Sequence, residues 1–229
     1  LDLAEKLGYT TLSDRSRFGL SLVLGGGEVK LLEHIGAFSA LARDGNVIPV
    51  SPMLKVETPR GETLYEWKEA APEPAVSADA ARSSVSIMTD NAARAFVFGA
   101  NSPLTLPDRP VAAKTGTTND WRDGWTLGFT PSLAAGVWVG NNDNSAMKRG
   151  ADGVLVAAPI WNGFMRRALQ GIFPEQFPSP PTNTADKPVL RGEVGGVSVS
   201  INSVTGRIAT SSTPPELVET RIYRQVHDI

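Results

Sequence analysis

The chain contains no cysteine, and only two of its 229 residues are histidines, His34 and His227. The first absence removes thiol catalysis, disulfide bonds and thiolate metal sites together. The two histidines lie far apart, and neither has a metal-ligating neighbour at helical spacing, so no metal site is expected. A Ser-His-Asp arrangement would have to draw on one of them, and His34 reads instead as a residue on a helix face. There is no run of about 18 apolar residues of the kind that crosses a membrane as a helix. Nor is there an excess of positive charge: the formal net charge is -2, which gives no reason to expect a nucleic-acid partner. No cofactor is expected either. Gly25-Gly26-Gly27 runs into Glu28-Val29-Lys30, not into the Gly-Lys-Ser/Thr of a phosphate-binding loop, and its spacing is not that of a dinucleotide fingerprint.

What is present is an ordinary globular composition, with 41% hydrophobic and 20% charged residues, long enough for one large domain or one domain and a small extension. Leu3 and Leu7 share a helical face that ends at Gly8, a glycine of the kind that closes helices. No cap or first turn precedes Leu1, so this helix is read as entered part-way, with a segment of chain upstream of it. The glycine triplet reads as a tight connection into a helix over residues 29–43, with Leu31, Leu32, Ile35, Phe38 and Leu41 as its apolar stripe. Residues 52–57 and 63–67 flank Thr58-Pro59-Arg60-Gly61 as a hairpin. Ser77 caps a helix expected to run through Phe96, with Ala81, Val85, Met88, Ala92 and Ala95 at helical spacing.

The period then changes. Residues 111–118 form an apolar run that turns hydroxyl-rich. Trp125, Leu127 and Phe129 alternate with Thr126 and Gly128, and Leu133, Ala135, Val137 and Val139 alternate with small residues and Trp138. Short turns between these runs predict a three-stranded antiparallel meander, and its two largely apolar faces predict helices on both sides. A helix follows over residues 159–170. Residues 173–188 have the Pro, Thr and Ser content of a linker. In the tail, Val197, Val199 and Ile201 alternate with serines, and residues 207–210 are expected to pair back after Thr205-Gly206. The predicted class is α+β, an antiparallel sheet covered by helices.

The stretch Val111-Ala112-Ala113-Lys114-Thr115-Gly116-Thr117-Thr118 carries the chemistry. Side chains alternate along a strand, so Thr115 and Thr117 share one face and Lys114 and Gly116 the other. Hydroxyls beside an ammonium suit a carboxylate. Gly116 lets a ligand approach the backbone, where an extended peptide could add as a strand and an N–H could meet an oxyanion. Lys-Thr-Gly alone is common and could be turn chemistry; its place between an apolar strand and a matched strand pair is what raises its weight.

Leu24-Gly25-Gly26-Gly27-Glu28-Val29 with Leu32-Glu33-His34-Ile35-Gly36-Ala37-Phe38 resembles the Gly-Glu-Val helix of class A penicillin-binding proteins. Pro110 to Asp120 resembles their Lys-Thr-Gly motif. Residues 123–131 and 136–141 resemble the two strands after it, and Ala157-Ala158-Pro159-Ile160-Trp161 the start of their closing helix. The resemblance implies a β-lactamase/transpeptidase-like fold, incomplete at its N-terminus. Residues 1–172 would be the C-terminal portion of a transpeptidase domain, 173–190 a linker and 191–229 a small β extension. It also implies a serine D,D-transpeptidase that cross-links peptidoglycan stem peptides ending in D-Ala-D-Ala and is acylated by β-lactams. Lys114 would assist proton transfer and carboxylate binding. Thr115 and Thr117 would hold the carboxylate, beside Gly116 and Thr118, and the Thr117 N–H would serve the oxyanion hole. The parent would carry a glycosyltransferase domain and a membrane anchor and work at the extracytoplasmic face of the bacterial membrane.

The chain departs from that family in one respect. Ser-x-x-Lys and Ser-x-Asn should precede Lys114, and they do not. Ser145-Ala146-Met147-Lys148 matches the first literally but lies after the third strand among Asn, Asp and Gly residues; Ser200-Ile201-Asn202 matches the second but lies in the tail. The nucleophile is therefore expected on the upstream segment, and these 229 residues alone are expected to be inactive. Two further readings stay open: a non-catalytic module that binds stem peptides or β-lactams, and a related β-lactamase or D,D-carboxypeptidase, against which the Gly-Glu-Val helix and the Trp-Val-Gly strand argue.

Overall fold

A computed structural model describes residues 1–191 and 197–223; His227 lies outside the described residues. The chain divides into two compact units, Leu1–Pro181 and Thr182–Ile229.

In the first unit, α1 (Asp2–Lys6) leads through irregular chain and a 3-10 turn, Leu20–Leu24, that closes on Gly25 in the left-handed region at φ 93°. Helix α2 (Leu31–Ala42) follows. Its stripe is narrower than the sequence suggests: Leu32, one residue round from Leu31, is 61% exposed. Strand β1 (Asn46–Val47), the hairpin β2 (Lys55–Glu57) and β3 (Thr63–Glu66), and β4 (Glu73–Pro74) come next, β1 pairing with β4. The helix expected over residues 77–96 is two helices, α3 (Ala78–Thr89) and α4 (Asn91–Phe98). Asp90 breaks it: its backbone is extended, and its carboxylate accepts from Ala93 N at 2.9 Å, starting a new helix.

Strands β5 (Ala112–Thr117), β6 (Asp123–Phe129) and β7 (Ala134–Gly140) form the antiparallel meander, in the order β5-β6-β7. Then come α5 (Gly153–Val156) and α6 (Ala158–Ala168). Residues paired across the sheet share a face, and the two faces have different cover. On the Lys114 face, Phe129 and Ala112 pack with Val85 of α3 and with Phe38 and Leu41 of α2. On the opposite face, Ala113 packs with Ala158, Trp161 and Met165 of α6, Leu104 and Leu106 sealing the margin. Glycines admit both layers: a Cβ on Gly136 would lie 2.7 Å from Ile35 Cγ1 of α2, and one on Gly128 would lie 2.4 Å from Trp161 Cζ2.

The second unit is a hairpin of β8 (Val197–Asn202) and β9 (Val218–Tyr223). As expected, the chain after Thr205-Gly206 pairs back on β8: Ile208 bridges Ile201, Asn202 N–H donates to Arg207 O and Ala209 N–H donates to Ser200 O, both at 2.8 Å. The longer β-branched run Val218-Glu219-Thr220-Arg221-Ile222-Tyr223 pairs with the whole of β8 as a further strand, after the 3-10 turn Pro215–Leu217. Among the described residues no helix is long and apolar enough to cross a membrane.

Candidate active site

The site is built on the outer edge of β5. Thr118 N–H donates to Asp123 O at 3.1 Å, so even-numbered residues of the strand turn their backbone groups toward β6. Alternation then directs the N–H and C=O of Ala113, Thr115 and Thr117 to the free edge. Two side chains already use that edge. Arg94 of α4 donates to Ala113 O at 3.1 Å and also to Met88 O, and Lys114 Nζ donates to Thr115 O at 2.7 Å. Lys114 and Thr117 are exposed, Thr115 and Gly116 half-buried. One open strand end thus presents an ammonium, a hydroxyl and outward N–H groups, a set suited to an anionic peptide end.

Each predicted site residue can be placed. Lys114 and Gly116 lie on the α2 face, with Gly116 over Trp125. Thr115 and Thr117 point to the α5–α6 face, where Thr117 Oγ1 accepts from Gly153 N at 3.0 Å. Thr118 is committed to the turn: its hydroxyl donates to Asp123 Oδ2 at 3.0 Å and accepts from Asp123 N at 2.8 Å. Asp123 Oδ1 in turn accepts from Trp138 Nε1 at 2.7 Å. These bonds hold the chain immediately after Thr117.

Trp125 meets Trp138 at a ring-centroid distance of 6.5 Å and His34 at 5.8 Å. His34 Nδ1 shares a hydrogen bond of 2.5 Å with the Tyr9 hydroxyl, and its ring stands edge-on to Phe38. Burial lowers the His34 pKa, and burial with the nearby Glu33 carboxylate pushes Tyr9 up to about 12. His34 is thus a packed residue against Trp125, on the face of the sheet that Lys114 shares. Arg94, Asp123 and Gly153 were not legible as site residues. Arg94 acts from 19 positions before Ala113, and Gly153 acts through its backbone from 36 positions after Thr117.

Ser145 lies in an irregular, exposed segment, where its N–H and Oγ both engage Asp143 Oδ1, at 3.0 and 2.7 Å. No helix carries it toward Lys148. Ser200 lies on β8, and Asn202 Oδ1 is used by the amides of Val204 and Thr205. Among the described residues no cluster of three or more His, Asp or Glu side chains could hold a metal ion.

The penicillin binding protein transpeptidase domain model matches residues 13–166. Penicillin-binding protein 1A of Aquifex aeolicus is 31% identical over 187 residues, 80% of this chain and 24% of that protein. Penicillin-binding protein 2D of Bacillus subtilis is 34% identical over 165 residues, 70% of this chain and 23% of that protein. The chain therefore spans about a quarter of the length of these curated relatives. Among solved structures, the penicillin-binding protein PonA1 of Mycobacterium tuberculosis matches with a TM-score of 0.67 at 27% identity, over 79% of this chain and 52% of that one. The same protein in complex with penicillin V matches at 0.66. Penicillin-binding protein 1A of Haemophilus influenzae, at 19% identity and a TM-score of 0.64 over 95% of this chain and 35% of that one, shares the fold.

Proposed function

The chain belongs to the penicillin binding protein transpeptidase domain family, and from that premise we propose that β5 is the carboxylate-gripping wall of a serine D,D-transpeptidase cleft. The open edge of β5, with Lys114 and Thr117 beside outward backbone groups, carries the reading. A stem peptide ending in D-Ala-D-Ala adds along that edge, its terminal carboxylate toward Lys114, Thr115 and Thr117. A serine Oγ attacks the penultimate D-Ala carbonyl carbon, and the developing oxyanion receives the Thr117 N–H. Collapse expels the terminal D-Ala as its amine, which takes up a proton, and leaves an acyl-enzyme. An amine of a second stem peptide then attacks the ester, forms the cross-link and frees the serine. Penicillin acylates the same serine.

The serine is not among these 229 residues in this reading. Ser145 lacks the buried helix that would turn a lysine one turn later back onto it. Phe96 and Val97 on α4, 98% and 71% exposed, support further protein packing beside the cleft. Residues 1–172 then act as the C-terminal portion of the transpeptidase domain and 173–190 as a linker to the β extension, at the extracytoplasmic face of the bacterial membrane. A non-catalytic module that binds stem peptides or β-lactams is the second reading, favoured by the lack of a helix-borne Ser-x-x-Lys among the described residues.

Labelled penicillin tests both. The 229-residue chain should take no covalent label, and acylation mapped to Ser145 would overturn the assignment. The chain joined to the upstream segment of its own gene should be labelled if that segment carries Ser-x-x-Lys and Ser-x-Asn. In that form Lys114→Ala should slow acylation by about a hundredfold; an unchanged rate would remove Lys114 from the mechanism. No labelling with the natural upstream segment selects the binding module.

A further inference from the structure

Behind the open end of β5, on the face away from Lys114, sits Gly153 at the start of α5. Its N–H donates to Thr117 Oγ1 at 3.0 Å, and its carbonyl accepts from Thr126 Oγ1 at 3.2 Å. Thr126 is fully buried, so this bond satisfies a hydroxyl that has no water to turn to. The approach leaves no room for a side chain: a Cβ on Gly153 would lie 2.4 Å from the Gly116 carbonyl oxygen and 2.5 Å from that of Trp125. Both are backbone atoms of the sheet, which cannot give way as a side-chain tip can. Residue type, burial and two hydrogen bonds all serve one close contact between α5 and the back of the candidate cleft.

We propose that Gly153 is a positioning residue: through its backbone N–H it commits the Thr117 hydroxyl to act as a hydrogen-bond donor toward a carboxylate on the open edge of β5. A threonine hydroxyl has one proton to give and two lone pairs to receive with. The Gly153 N–H occupies a lone pair from behind, and among the described residues the Thr117 proton has no acceptor. What remains toward the cleft is the proton and the second lone pair, so the hydroxyl is left free to donate. An ionised carboxylate meets that proton with a full negative charge and makes the stronger, charge-assisted bond, whereas the neutral carbonyl of a primary amide accepts it more weakly. The linked bonds N–H to O–H to O⁻ also polarise one another. This inference rests on the reading of β5 as a carboxylate grip, and it adds what sets the preference of that grip for an acid over an amide.

Two measurements on the 229-residue chain test it separately. The first is hydrogen exchange at the Gly153 amide in the wild type, Thr117→Val and Thr117→Ser. Thr117 is exposed and both replacements are close in size, so the fold should persist. Thr117→Val should speed Gly153 exchange by about tenfold, the equivalent of one hydrogen bond of ordinary net strength, and Thr117→Ser should leave it near the wild-type rate. Equal exchange in all three overturns the positioning role, whatever β5 binds. The second is titration with N-acetyl-D-alanyl-D-alanine and with its C-terminal amide, followed at the β5 amide resonances. The acid should bind at least about tenfold more tightly than the amide in the wild type and in Thr117→Ser, and the gap should narrow in Thr117→Val to what the Lys114 charge alone sustains. An undiminished preference in Thr117→Val overturns the donor role. Absence of acid binding at β5 in the wild type overturns the reading of β5 itself, while leaving the exchange result to judge the Gly153 contact.

Discussion

The two ends of β5 have the same strand geometry and pair with β6 in one unbroken register, yet they live in different surroundings. At the first end, Val111, Ala112 and Ala113 are 2%, 0% and 3% exposed. Phe129 and Val85 cover one face there, and Trp161 with its neighbours covers the other. Arg94 closes the edge at Ala113. From Lys114 onward both the edge and the Lys114 face are open. The open end is held by what lies beside and behind it: the Thr118–Asp123–Trp138 bonds at the turn and Gly153 at the back. An exposed edge strand is ordinarily a liability, open to pairing with any other strand. Here one end of the strand is buried deeply enough to hold the other in place while it stays available.

Removing the buried anchor should break this contrast most severely. Trp161 has no exposed surface, fills the space against Gly128, and donates its indole N–H to Ala135 O at 3.2 Å. Trp161→Ala is expected to cost about 3–5 kcal/mol, read as a lower urea midpoint at unchanged m-value. A loss under about 1 kcal/mol would mean that the covered end does not anchor the sheet. Arg94→Met should come next, at about 2 kcal/mol, since it removes charge-assisted bonds to Ala113 O and Met88 O while keeping much of the side-chain volume. It should also make the protein associate at high concentration, because it bares the stretch of edge that Arg94 caps at Ala113.

A smaller effect sharpens the contrast on the floor of the open end, where His34 packs under Trp125. Burial lowers the His34 pKa from its ordinary 6.5. The unfolded chain therefore binds the proton more readily than the folded one, so stability is complete above pH 6.5 and falls as the pH drops through the window below it. The lowered carboxylates among the described residues, such as Asp44 beside Arg82 and Glu33 beside Thr10, start from 3.8 or 4.5, so their contribution is lost only in more acid solution. Melting temperatures between about pH 7.5 and 5 should fall in the wild type and flatten in His34→Gln. Equal slopes would mean that the imidazole is not held neutral by its packing.

Much of this was legible in the sequence, and the exceptions share a cause. The meander follows from alternation in residues 123–129 and 134–140, and the Lys114-Thr115-Gly116-Thr117 edge from a polar run after an apolar strand. Where periodicity continued but a local hydrogen bond competed, periodicity misled: Ala92 and Ala95 keep helical spacing past Asp90, yet the Asp90 carboxylate starts a new helix there. The capping pattern Asp90-Asn91 was the available signal. In the tail, residues 207–210 pair back on β8 as the alternation predicts, while residues 218–223 add a longer strand that no short turn after β8 announces. Gly153 could not be found from its residue type, because the group it supplies is a backbone N–H, which every residue but proline carries.

The smallest expected effect is the most discriminating. Lys114→Ala should change stability by no more than about 0.5 kcal/mol. The Lys114 side chain is exposed, and its bond to Thr115 O, 2.7 Å long, is made in water and within one residue of chain, so solvent can replace it at little cost. The comparison between the two ends depends on that. If an equilibrium urea titration shows a loss above about 1 kcal/mol, the ammonium is a structural cap on the strand, equivalent to Arg94 at the other end, and the edge is closed by the protein's own side chain. If the loss is negligible while acylation falls in the form carrying the upstream motifs, the lysine contributes nothing to folding and its charge is there for a ligand.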